Sequence, residues 1–145
     1  MSKHHTILIF ASGSGTNAEQ IIRHFSPIRN VKVAGVYTNN PSAQVLERVK
    51  EFDVPTFLFS REQLNDPYAL LAELKDKNPN LIVLAGFLWK IPPHIVEAFP
   101  NKIINIHPSL LPKFGGKGMF GRHVHQATCC AWFCETQCKV PFTLR

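Results

Sequence analysis

The sequence predicts an α/β fold: a single domain built on a doubly wound, mostly parallel sheet with Rossmann-like topology. Three observations carry that reading. Five short apolar runs recur along the chain, segments able to hold a helix separate them, and the first run passes into a helix through a Gly/Ser cluster.

Taken in order, Thr6–Phe10 is a short apolar run between polar residues and the cluster that follows, as expected of a buried parallel strand. Thr16 and Glu19 have capping-box spacing, and Ala18, Ile21, Ile22 and Phe25 then recur at helical period, which predicts the first helix. Further strands are expected at Val31–Thr38, Thr56–Phe59, Leu81–Ala85 and Ile103–Ile106. Asp66–Pro67 reads as an N-cap with proline at the first helical position, opening a helix with Leu70, Leu71 and Leu74 on its apolar side. Pro92–Pro93 opens a shorter one carrying Ile95, Val96 and Phe99.

A chain of 145 residues with 45% hydrophobic content fits one domain that buries about 68–70% of its unfolded surface, which argues against disorder. The apolar stretches Thr6–Ala11 and Leu81–Leu88 fall far short of the roughly 20 residues of a membrane span, and residues 1–11 lack a signal-peptide cleavage pattern. A cytoplasmic protein with no membrane partner is therefore expected.

The formal charge of +6 is uneven: Lys102, Lys113, Lys117 and Arg122 lie between Ala98 and Cys134 with no acidic residue among them. That half should attract anions. A basic run with interleaved aromatics, zinc-finger spacing and an RNA-recognition signature are all missing, so small phosphorylated or polycarboxylate ligands fit better than nucleic acid. A solvated positive face without a partner is the plainer alternative. All four cysteines (Cys129, Cys130, Cys134 and Cys138) fall in the C-terminal tail, where they could not staple the whole domain and match no common zinc or iron–sulfur motif. No metal site is expected.

Two constellations carry chemistry. In Gly13, Ser14, Gly15, Thr16, Asn17 and Ala18, glycines let backbone amides approach a ligand closely, and the helix N-terminus adds free N–H groups and a positive dipole end. Phosphate is the natural guest, although a ligand-free tight turn would leave the same signature. Ala18 stands where a dinucleotide fingerprint needs its third glycine, and the Gly-Lys-Ser/Thr of a P-loop is absent. The second constellation is Asn105-Ile106-His107-Pro108-Ser109-Leu110-Leu111-Pro112, at the end of the fifth expected strand and so at the same sheet edge as the glycine loop. Asn105 offers an amide donor and His107 a group that exchanges protons near neutral pH, a pairing suited to a developing oxyanion. A structural histidine is the alternative.

Ser12-Gly13-Ser14-Gly15-Thr16-Asn17, then Leu84-Ala85-Gly86-Phe87, then Asn105 through Phe114 resemble, in order and spacing, the successive motifs of the phosphoribosylglycinamide formyltransferase family. The likeness runs from about Ile7 to Ala127. Asn-x-His-Pro-Ser-Leu-Leu-Pro alone is shared with methionyl-tRNA formyltransferase and formyltetrahydrofolate deformylase; the glycine loop near the N-terminus, with no regulatory domain before it, is what resembles the glycinamide enzyme.

The resemblance implies transfer of a formyl group from 10-formyltetrahydrofolate to the amine of glycinamide ribonucleotide, without a metal. It further implies that Gly13 to Ala18 hold the ribose phosphate, that Arg61, Leu88, Trp89, Lys90, Ile91 and Asn105 line the folate pocket, and that Asn105 and His107 are catalytic. Trp89 stands where some members carry arginine; Lys90 is expected to supply that charge, and core packing is the alternative role for Trp89. After a helix at Gly121–Thr128 the chain leaves the pattern: the strand S-G-I-T-I-H-x-V and the aspartate that orients the histidine are not readable, and the only acid is Glu135. The expectation is an incomplete formyltransferase domain at residues 1–128, lacking its last strands, and an atypical tail at 129–145 from an altered or frameshifted end. Little formyl transfer is expected of the chain as written, and a pseudoenzyme that binds a phosphorylated ligand without catalysis is the rival reading.

Overall fold

In the computed structural model, which describes residues 4–106, strand and helix alternate as the apolar runs predict. The elements are β1 (His5–Phe10), α1 (Thr16–Phe25), β2 (Val31–Thr38), α2 (Val45–Arg48), a 3-10 turn (Lys50–Phe52), β3 (Thr56–Leu58), α3 (Arg61–Asn65), α4 (Ala69–Asp76), β4 (Leu81–Ala85), α5 (Pro93–Ala98) and β5 (Ile103–Ile106). The five strands form one sheet in the order β3-β2-β1-β4-β5, and every neighbouring pair is parallel.

Strand alternation builds two cores. Ile7, Ile9, Val83 and Ala85 point to one face, where they meet Ala18 and Ile22 of α1 and Val45 of α2. Leu8, Phe10, Tyr37 and Ile82 point to the other, against Leu64 of α3, Leu70, Leu71 and Leu74 of α4, and Ile95 of α5. The chain winds outward from β1 to β3, then returns to β4 and β5 beyond β1, and right-handed crossovers put the helices of these two legs on opposite faces. The reversal makes the carboxyl ends of β1 and β4 the topological switch point, the crevice where open α/β sheets take their ligands.

The sequence expectations hold for all five strands, with β3 ending at Leu58 rather than Phe59. Two helix starts differ. The capping box expected at Thr16 and Glu19 does not form: Gly15 is the N-cap, no side chain caps the helix, and the Glu19 carboxylate instead binds Arg23 and Arg48. The helix expected from Pro67 begins at Ala69, two residues later, although Asp66 Oδ1 does accept the N–H groups of Tyr68 and Ala69. α2 and α3 have no counterpart among the expected helices. The signal for α3 was readable, since Ser60 and Gln63 form the reciprocal capping box that the S-x-x-Q spacing announces.

Among the described residues β5 is one edge of the sheet, with Ile104 48% and Ile106 39% exposed. His107, the helix expected at Gly121–Thr128, the domain limit at 128 and the cysteine-bearing tail lie outside the described residues. No helix among the described residues is long and apolar enough to cross a membrane.

Candidate functional site at the sheet's carboxyl edge

Because all strands run parallel, the loops that leave their carboxyl ends crowd one edge. Register carries the alignment across the sheet: Phe10 pairs with Leu84, and Leu84 pairs with Asn105. The glycine loop after Phe10, the loop after Ala85 and Asn105 therefore stand at one level, as the sequence predicts. Asn105 is exposed rather than packed into the interior.

Gly15 adopts φ 75, the left-handed conformation that glycine takes without strain, and turns the chain into α1. Among the described residues no side chain caps the N-terminus of α1, so its first-turn N–H groups, which lack intrahelical acceptors, keep their bonding capacity for a ligand. Gly13, Ser14, Thr16 and Asn17 are exposed, whereas Gly15 and Ala18 are buried, so Ala18 can serve a ligand only through its backbone. The loop is braced from behind: the Val45 N–H donates to Gly13 O at 3.1 Å and the Ala11 N–H to Tyr37 O at 2.9 Å.

Glu19, one turn into the same helix, would oppose an anion if it were free. The bond from Arg48, seconded by that from Arg23, holds its carboxyl below the ordinary range and offsets its charge locally.

On the other side of the switch point, Gly86 takes φ 74 and starts the loop that carries Leu88, Trp89, Lys90 and Ile91. Leu88 is 64% exposed and Lys90 is exposed, while Trp89 and Ile91 are half-buried against the core under α3 to α5. Trp89 thus takes the packing role. Its ring stands edge-on to Phe59 and Phe87, and its other surroundings include the Arg61 guanidinium, 5.4 Å from the ring centroid. Arg61, which begins α3 just past β3, is brought to the Trp89 loop although 28 positions separate them in the chain. A ligand here would find an aromatic edge, two cations and an exposed leucine.

Sequence reasoning missed what joins the two loops. Ser12 is only 4% exposed. Its hydroxyl donates to Asn39 Oδ1 at 2.6 Å and accepts the Leu88 N–H at 3.0 Å, its own N–H donates to Gly86 O at 3.2 Å, and its carbonyl accepts Asn40 Nδ2 at 3.3 Å. Nothing local marks these contacts, because they span 27 to 76 positions of sequence. No cluster of three or more His, Cys, Asp or Glu able to hold a metal ion occurs among the described residues.

Comparison with known proteins completes the picture. The family model described as Formyl transferase matches residues 5–134. The chain is 35% identical over 127 residues to the chloroplastic phosphoribosylglycinamide formyltransferase of Arabidopsis thaliana, covering 83% of this chain and 44% of that protein. It is 34% identical over 119 residues to phosphoribosylglycinamide formyltransferase of Bacillus subtilis, covering 79% and 61%. Its fold superimposes on glycinamide ribonucleotide transformylase 1 from Geobacillus kaustophilus with a TM-score of 0.72 at 37% identity, covering 85% of this chain and 68% of that one. The chain spans about half the length of the curated relatives it matches.

Proposed function

The chain belongs to the formyl transferase family, and on that membership we propose that it binds glycinamide ribonucleotide and 10-formyltetrahydrofolate and moves the formyl group between them, in cytoplasmic purine biosynthesis. The observation that carries the reading is the uncapped N-terminus of α1 behind Gly13 and Gly15, set level with Asn105 across the β1/β4 switch point.

In this reading the backbone N–H groups from Gly13 to Ala18 take the ribose phosphate. The folate lies across Arg61 and the Leu88 to Ile91 loop, with Lys90 facing its carboxylates. The substrate amine attacks the formyl carbon, and the carbonyl oxygen gains negative charge as the tetrahedral intermediate forms. The Asn105 amide donates to that oxygen, and a protonated His107 adds a second donor. Collapse breaks the bond from carbon to the folate nitrogen, which takes up a proton as the attacking amine gives one up. The products are the N-formylated ribonucleotide and tetrahydrofolate. As proposed, the reaction calls on no metal and no nucleic acid.

Calorimetric titration of the purified chain with each substrate tests the reading. Binding of both is expected, and whatever formyl-transfer rate the chain shows should fall by about 10²–10³ in Asn105→Ala, the usual cost of one oxyanion donor. Binding of neither substrate would overturn it. Binding of the ribonucleotide without any transfer would favour the pseudoenzyme.

A further inference from the structure

We infer that Ser12 is a positioning residue that holds the folate-side loop to the phosphate-side loop, so that its hydroxyl sets the affinity for the folate and not for the ribonucleotide. The inference rests on the formyl-transfer reading above.

The two loops depend on Ser12 unequally. The glycine loop has anchors of its own, in Val45 N–H to Gly13 O and Ala11 N–H to Tyr37 O. The loop after β4 turns at Gly86 with φ 74, and the side chains of Phe87, Trp89 and Ile91 pack against the core, while the exposed Leu88 between them adds no such anchor. What ties Leu88 down is its N–H, which donates to the Ser12 hydroxyl at 3.0 Å. A serine hydroxyl has one proton, and Asn39 Oδ1 at 2.6 Å takes it, which aims the oxygen lone pairs at Leu88. Asn39 thus orients the hydroxyl, and the hydroxyl orients the loop that carries Trp89 and Lys90. At 4% exposure water cannot readily replace these bonds, which makes their loss costlier than at the surface.

The Ser12→Ala chain should bind 10-formyltetrahydrofolate about fivefold more weakly, the size of one net hydrogen bond, with its affinity for glycinamide ribonucleotide unchanged. A merely structural role would weaken both ligands together. Asn39→Ala removes only the group that orients the hydroxyl and should shift the folate affinity in the same direction by less; it carries the test if Ser12→Ala fails to fold. Equal loss for both ligands, or no loss for the folate, overturns the inference while leaving the reading intact. A wild-type chain that binds neither ligand sinks the reading, and the inference with it.

Discussion

The backbone of Gly15 lies against the side chain of Val45 so closely that a Cβ at Gly15 would stand 2.5 Å from Val45 Cβ and Cγ2. Two elements far apart in sequence thus shape one loop, because the same Val45 also donates its N–H to Gly13 O.

Gly15→Ala is expected to damage both stability and ligand binding. Left-handed backbone costs a non-glycine residue about 1–2 kcal/mol, and forcing a methyl group into a packed contact costs about 1–3 kcal/mol more. Urea denaturation should show the loss, and calorimetry should show weakened ribonucleotide binding. Near-native behaviour in both would mean that the loop and α2 are not held as described.

Tyr37 ties the sheet to α4: its buried hydroxyl donates to Glu73 Oε1 at 2.9 Å. Tyr37→Phe should cost about 1–2 kcal/mol near neutral pH. Burial, aided by the Glu73 bond, pushes the phenol far above its ordinary value of 10.0. A raised value means that the stabilisation is complete below pH 10 and is lost at higher pH, where the unfolded phenol ionises and the folded one does not. In thermal melts the wild-type advantage over Tyr37→Phe should therefore shrink in alkali. An advantage that grows with pH would contradict the burial of this phenol.

Glu19 predicts the opposite trend. Its carboxyl is held below the ordinary 4.5 by Arg48 first and Arg23 second, so its contribution is present above that value and fades as acid protonates the folded form. Both ion pairs lie near the surface, so the effect should be small and weakened by salt. Melting temperatures of wild type and Glu19→Gln should differ most near neutrality and converge in acid. A gap that widens below pH 4.5 would refute the assignment.

The Arg61 contact with Trp89 should matter more for ligand than for fold. An exposed cation–π pair contributes about 0.5–1 kcal/mol, so Arg61→Ala should barely move the melting temperature. Folate affinity should fall. With Trp132→Phe as background, Trp89 remains the single tryptophan and its fluorescence reports the titration directly. Unchanged folate affinity would remove Arg61 from the pocket.

The five strands and the edge where their carboxyl ends meet were already legible in the order of residues. Apolar runs such as Leu81–Ala85 are legible because a strand covered on both faces needs apolar residues without a break, and a glycine just before a helical period signals a turn that a side chain at Gly15 would block. Asn105 and the glycine loop were placed together because parallel strands deliver all their carboxyl ends to one side.

Other features depend on partners distant in the chain and emerge only on folding. Thr16 and Glu19 had the spacing of a cap, but the positive φ of Gly15 moved the helix start, and Arg48, brought over by α2, drew Glu19 away. Ser12 looked like one more small residue in a glycine-rich turn. Its role as the bridge to Leu88 and Asn39 exists only once three strands lie side by side, since a hydrogen bond across 76 positions leaves no local pattern to read.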